Sequence, residues 1–211
     1  MRTIGVVTVS RSDYGLYRPV LQRIQQDSEL ELHLMVSGPH LSPERGYTVR
    51  DIEEEGYAVA ERIETVLSSD TSEGIAKSIG LGVIGFGQAF ARSRPDILLI
   101  LGDRSEMYAA AVAALPFTLP VAHMSGSEAA SETPGGPLRH SITKLSHLHF
   151  VPTETVRARL VSMGEEPWRV TLVGAPSADE IIVERLKTVP LGASLVAKRF
   201  HDLAPLEPVE G

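Results

Sequence analysis

Pro95-Asp-Ile-Leu-Leu-Ile-Leu-Gly-Asp-Arg-Ser-Glu106 is the stretch from which the fold is read. Ile97 to Leu101 is an unbroken apolar run that stops at Gly102-Asp103-Arg104. A run this short, bounded by turn residues, reads as a strand buried on both faces of a parallel sheet. The polar triplet then lies just past the strand's carboxyl end, where open α/β sheets place their ligands. Gly102 permits a tight turn, Asp103 offers a carboxylate and Arg104 a planar cation. The alanine-rich segment after Glu106 predicts a helix packed closely on the sheet. The plainer reading of the triplet is an aspartate N-cap with an arginine ion pair.

Outward from this strand the same alternation recurs. Strands are expected at Ile4 to Val9, Leu30 to Val36, Tyr57 to Ile63 (less buried), Pro120 to Met124, Leu148 to Val151 and Arg169 to Val173. Ser10 to Gly15 reads as the turn leaving the first strand. Leu16, Val20, Leu21 and Ile24 mark one face of the helix that follows, where Pro19 is tolerable only in the first turn. A short helix is expected from about Thr48 to Glu55. Ile75, Ile79, Val83, Phe86 and Phe90 mark a stripe on a long helix that ends before Pro95. Further helices are expected from Pro137, from Thr153 to about Met163, and in pieces over 183–201. Strands alternating with helices throughout argue one doubly wound, Rossmann-like α/β parallel sheet of about seven strands.

Composition narrows the function. The 211 residues are 43% hydrophobic and 22% charged, ordinary for a globular chain. Without cysteine there is no disulfide framework, thiolate zinc site or thiol nucleophile. A net charge of −7 argues against general affinity for nucleic acid. No apolar run approaches the roughly 20 residues of a bilayer span and no signal-peptide pattern opens the chain, so no membrane partner and a cytoplasmic location are expected. Gly80-Leu-Gly82-Val-Ile-Gly85 matches the dinucleotide fingerprint in letters only. That motif must open a helix after a strand, and here it falls mid-helix, where small residues serve close packing. No cofactor is expected.

Polar residues collect beyond successive strand ends: Arg11 and Asp13, His40, Asp103 and Arg104, His123 and Glu128. In a parallel sheet these ends share one edge, so the residues can converge. Carboxylates, imidazoles and guanidiniums together suit proton transfer beside a phosphorylated leaving group. Singly, each has a bland reading: His40 as a loop residue, His123 as a hydrogen-bonded histidine under the sheet edge, Arg139 and Lys144 as a solvated helix face. A metal site built from His147, His149 and His123 is the weaker alternative, since such histidines in a buried strand usually pack and hydrogen-bond. No metal is expected.

Five ordered blocks carry a family resemblance. They are Arg11-Ser-Asp13-Tyr-Gly, Gly38-Pro-His40-Leu-Ser-Pro-Glu-Arg-Gly46-Tyr-Thr48, Gly102-Asp-Arg-Ser-Glu106, His123-Met-Ser-Gly-Ser-Glu128, and Arg139-His140-Ser-Ile-Thr-Lys-Leu-Ser-His147-Leu-His149-Phe. With them the chain resembles the hydrolysing UDP-N-acetylglucosamine 2-epimerases of sialic-acid and related nonulosonic-acid synthesis. The resemblance implies one half of a glycosyltransferase-B-type fold, with substrate held between two Rossmann-like halves. It divides the chain into an epimerase domain over 1–182 and a helical tail over 183–211 that begins a second domain. It implies loss of the sugar C2 proton with departure of UDP, giving a 2-acetamidoglucal, then addition of water with inversion at C2.

Carried over residue by residue, the resemblance implies acid/base or other catalytic work for Asp103, Glu128, His123 and His40. It implies substrate binding by Arg11, Asp13, Arg104, Arg139 and His140. The implied partners are a UDP-sugar and a second copy of the chain, docked through the alanine-rich and 72–92 helices. There are two departures: the acid usually found before the Arg-His pair, and the second domain expected where this sequence stops. Thr133-Pro-Gly-Gly-Pro137 stands where the family usually carries an acid before its Arg-His pair, and Glu132 is out of register. Loss of one proton donor or acceptor typically costs 10² to 10⁴ in rate. With half a cleft, the 211-residue chain alone is expected to turn over almost nothing. The competing reading is a non-catalytic sugar-nucleotide-binding or subunit-interaction module.

Overall fold

Because nearly every strand is short and apolar on both faces, the chain has one way to bury them all: side by side, with helices above and below. The computed structural model describes residues 1–67, 69, 71–124, 136–174 and 178–202. Its strands are β1 Arg2–Thr8, β2 Leu30–Ser37, β3 Val59–Ile63, β4 Ile97–Leu101, β5 Val121–Met124, β6 Leu148–Val151 and β7 Val170–Leu172. Its α-helices are α1 Arg11–Gln26, α2 Val49–Glu54, α3 Ser72–Arg92, α4 Ser105–Ala114, α5 Gly136–Leu145, α6 Glu154–Ser162, α7 Ala178–Thr188 and α8 Ala193–Val196. The seven strands form one sheet in the order β3-β2-β1-β4-β5-β6-β7, and every pairing is parallel.

Alternate residues of each strand face opposite layers. Ile4, Val6, Ile97, Leu99, Leu148 and Phe150 pack with α1, α2 and α7 through Tyr17, Leu21, Ile52 and Leu186. Val7, Val9, Leu98 and Ile100 pack with α3, α4 and α5 through Phe86, Phe90, Ala110 and Ile142. All five residues of β4 are buried, as the apolar run requires. Residues 182 and 183 lie inside α7, where Ile182, Val183 and Leu186 are buried against the layer that holds α1.

Two local expectations are corrected. Helix α1 begins at Arg11, so Ser10 to Gly15 is a helix start rather than a turn, and Pro19 lies well inside the helix. A helix-interior proline costs about 3 kcal/mol. Burial of Tyr14, Tyr17, Val20, Leu21 and Ile24 on this face offsets it, at about 1.5–3 kcal/mol for each large apolar side chain. In α3 the buried face is Gly74, Gly82, Phe86, Ala89 and Phe90, while Ile75 is exposed. The cause is close approach. A Cβ at Gly82 would stand 2.8 Å from the Ala109 Cβ of α4, and one at Gly85 would stand 2.7 Å from Cγ2 of Ile63. The glycines thus make a helix seam, not a nucleotide loop. Helix α3 has the length and composition to cross a membrane, but Phe86, Ala89 and Phe90 place it against the sheet.

Candidate functional site

The strand order turns around between β1 and β4. From β1 the chain builds outward through β2 to β3, and from β4 it builds the other way, leaving a crevice at the carboxyl ends of these two central strands. Such a switch point is where doubly wound sheets bind ligands. Both polar loops of interest end there: Ser10 onward after β1, and Gly102 onward after β4.

The β4 elbow depends on Gly102, whose φ of 75° is left-handed. The next residue, Asp103, does not cap α4; the capping position is Arg104, without a side-chain hydrogen bond. Instead Asp103 Oδ2 accepts from Arg139 of α5 at 2.7 Å. These side chains are 27% and 24% exposed, respectively, so the pair is partly shielded yet reachable from the cleft. The aspartate's partner therefore comes from another helix, not from the adjacent Arg104, which is exposed.

His123, on β5, is buried and its Nε2 lies 2.8 Å from the Gly102 carbonyl. A carbonyl only accepts, so Nε2 carries the proton and Nδ1 keeps its lone pair. Burial pushes this imidazole down to about 4, which leaves it neutral at pH 7. Asp103, Arg139 and His123 are thus tied together through one elbow.

The β1 loop builds a second, enclosed network. Asp13 accepts from the Thr8 hydroxyl at 2.7 Å, from the Val9 N–H at 2.8 Å and from the Ser10 hydroxyl. Thr8 has spent its one proton on Asp13, so toward His40 Nε2, 3.1 Å away, it can only accept. His40 Nδ1 then accepts from the Thr48 hydroxyl at 2.5 Å. The imidazole is fully buried, and burial lowers its pKa. His40 and Asp13 therefore pin the end of β1 to the turn at Gly38–Leu41 and to the start of α2, behind the cleft surface. Arg11 is largely exposed and paired with Asp51 of α2 at 2.9 Å. His140 is exposed on α5. Glu128 lies outside the described residues.

Three contributions were not legible from the sequence. Thr8 and Thr48 supply the hydroxyls that orient His40; the signal was a polar residue closing the first apolar strand. Glu106 lies against Gly38, whose φ is 59°, and a Cβ built there would stand 2.7 Å from its Oε1. A cavity of about 290 Å³, lined by Gly38, Leu41, Ser42, Glu44, Glu64 and Thr65, opens near the ends of β2 and β3. The histidines of the metal alternative serve separate partners: His147 Nδ1 accepts from the Val121 N–H at 3.0 Å, and His149 Nε2 meets Glu165 at 3.0 Å. Among the described residues no three or more metal-ligating side chains cluster.

Residues 22–202 match the family model described as UDP-N-acetylglucosamine 2-epimerase. The chain is 42% identical over 188 residues to a UDP-N,N'-diacetylbacillosamine 2-epimerase (hydrolyzing) of Legionella pneumophila, covering 89% of this chain and 50% of that protein. It is 37% identical over 182 residues to a UDP-N-acetylglucosamine 2-epimerase of Neisseria meningitidis, covering 85% of this chain and 46% of that protein. The fold is similar to a Neisseria meningitidis UDP-GlcNAc 2-epimerase solved with UDP-GlcNAc, at TM-score 0.69 and 21% identity, covering 89% of this chain and 51% of that one. The corresponding Methanocaldococcus jannaschii structure gives TM-score 0.68 at 18% identity, covering 88% and 48%. The chain spans about half the length of the curated relatives it matches. Its sheet is one Rossmann-like half of the glycosyltransferase-B-type fold.

Proposed function

Because the chain belongs to the UDP-N-acetylglucosamine 2-epimerase family, we propose that it forms one wall of the cleft of a hydrolysing 2-epimerase acting on a UDP-activated 2-acetamido sugar. Relatives named for UDP-N-acetylglucosamine and for UDP-N,N'-diacetylbacillosamine both support this substrate class. The opposite wall would come from a second α/β domain matching the remaining half of the relatives' length.

In this reading the sugar's C2–H electrons form the C1=C2 bond as the C1–O bond breaks, and the pair leaves on the UDP phosphate oxygen. Water then adds across that double bond, hydroxyl to C1 and proton to C2 on the opposite face. Two proton transfers at C2 and one charged leaving group need a held carboxylate and nearby cations. The observation that carries the proposal is the Asp103–Arg139 pair at the switch point. Arg139 fixes the carboxylate's direction, and the neutral His123 holds the elbow beneath it. Arg11 and Arg104 are the cleft cations available to the diphosphate and His140 a further hydrogen-bonding group, while His40 and Asp13 act as positioning residues. Glu128 is assigned a second acid/base role.

We further propose a homodimer formed through α3 and α4, because Leu81 and Ile84 of α3 and Leu115, at the carboxyl end of α4, are exposed apolar side chains. A cytoplasmic location and a place in sialic-acid-type sugar synthesis belong to the same reading. The test is UDP release from UDP-N-acetylglucosamine by the full-length protein that carries this sequence. Turnover that disappears in Asp103→Asn supports the assignment, and wild-type protein that binds the nucleotide sugar without releasing UDP overturns it.

A further inference from the structure

Glu165 follows the glycine that ends α6, a place where a glutamate usually faces water. Here its side chain is wholly buried. Its carboxylate accepts from three elements at once: Lys144 of α5 at 3.0 Å, His149 of β6 at 3.0 Å, and Lys198, past α8, at 2.7 Å. Burial by itself would push this carboxyl up; the bonds from His149 and Lys198 bring it down to about 2, so it stays ionised. A buried, fully bonded charge of this kind resists displacement, because any shift strands it without partners.

Two routes lead from it to the same elbow. His149 Nε2 donates to Glu165, and its Nδ1 is buried without a partner among the described residues. His149 is paired in register with His123, whose Nε2 holds the Gly102 carbonyl one residue before Asp103. The second route runs through α5. The Lys198 ammonium donates to the carbonyls of Thr143 and Ser146, at 3.1 and 2.6 Å, and so caps the carboxyl end of that helix. Lys144, in the same last turn, also donates to the Met163 carbonyl. One turn earlier, about 6 Å along the axis, Arg139 reaches Asp103. Arg169 fixes the segment that carries Lys198 by donating to the carbonyls of Leu195, Ser194 and Ala197.

We propose that Glu165 is a positioning residue for Asp103: it sets the axial position of α5, hence Arg139, and the seating of His149 beside His123. Nothing in this role touches substrate. Its kinetic arm rests on the 2-epimerase reading; its structural arm does not.

The test compares Glu165→Gln, Lys198→Met and the exposed-pair control Glu154→Gln in the full-length protein. UDP release from UDP-N-acetylglucosamine is measured per UDP-binding site, with amide exchange followed in 99–107 and 136–145. The expected result is a fall in kcat of at least about tenfold with KM within about twofold, and faster exchange in both segments, for the first two variants only. Where Glu165→Gln does not fold, Lys198→Met is read by the same criteria. Unchanged kcat per binding site, or exchange that quickens only in 163–166 and 193–202, overturns the proposal. Should the wild type release no UDP, the 2-epimerase reading fails, and the exchange data alone decide the positioning role.

Discussion

The Glu106 carboxylate occupies the space that a side chain at Gly38 would need. Gly38 opens the turn after β2 that carries His40, and Glu106 stands in the first turn of α4, so the segments leaving β2 and β4 meet at this contact. Ser105 Oγ donates to the same carboxylate at 3.1 Å, which steadies Glu106 there.

Gly38→Ala carries two penalties, a left-handed backbone that alanine disfavours by roughly 1–2 kcal/mol and a forced shift of Glu106. Urea unfolding of the variant is expected to show a loss at the upper end of that range. Adding Glu106→Ala relieves the clash with that carboxylate but neither the backbone penalty nor the 3.2 Å approach to the Val9 Cβ, so the double variant should recover some, but not all, of the stability.

Asp103→Asn keeps shape and hydrogen bonding but removes the charge and the proton affinity. In the full-length protein, turnover of UDP-N-acetylglucosamine is expected to fall at least about 10²-fold, with the thermal midpoint nearly unmoved. A variant as fast as wild type would remove Asp103 from the acid/base step.

Two glycines two positions apart in α3 are expected to respond with opposite signs. Gly82→Ala drives a Cβ to 2.8 Å from Ala109 and should cost about 1–3 kcal/mol. At Gly80 a Cβ meets nothing within 4 Å, so Gly80→Ala should gain about 0.5–1 kcal/mol from helix propensity. Denaturant midpoints of the two single variants decide it.

His123 and His147 are both held down to about 4 by burial, below the usual 6.5. Between those values the unfolded chain binds protons that the folded chain refuses, so their contribution is complete above pH 6.5 and is lost as pH falls toward 4. The Glu165 contribution is lost lower still, as pH falls from about 4.5 toward 2. Unfolding midpoints measured across pH 7 to 4 should therefore decline, with net proton uptake on unfolding measurable by calorimetry in two buffers.

The exposed apolar side chains of α3 give a test of the proposed dimer. Ile84 is 61% exposed, and, if the proposed dimer forms, Ile84→Glu is expected to raise its dissociation constant at least about tenfold in sedimentation equilibrium. Wild-type protein that sediments as a monomer at micromolar concentration would remove the dimer.

Strand positions were legible because each strand carries its own apolar run, and the parallel rule then sets all the carboxyl ends on one edge. What pattern could not reach was pairing across distance. Arg104 was the evident neighbour for Asp103, yet the partner is Arg139, presented by α5, the helix that comes after the next strand, β5. Ser10-Arg-Ser-Asp13 has turn composition. In the fold Asp13 reaches back to the Val9 N–H and the Ser10 hydroxyl, so the same residues start a helix. Glu165 carries no local signal of its role, because its partners come from β6, α5 and the segment past α8.

The position of β1 between β2 and β4 has a kinetic consequence. Its partner on one side follows at once, Arg2 against Leu30, but on the other side Ile4 must wait for Ile97. During synthesis the first three strands can pair while one face of their edge stays open, and loop closure across the intervening chain comes late. The crevice does not exist until that seam closes. The wall of the proposed cleft therefore begins to assemble only after β4 has left the ribosome.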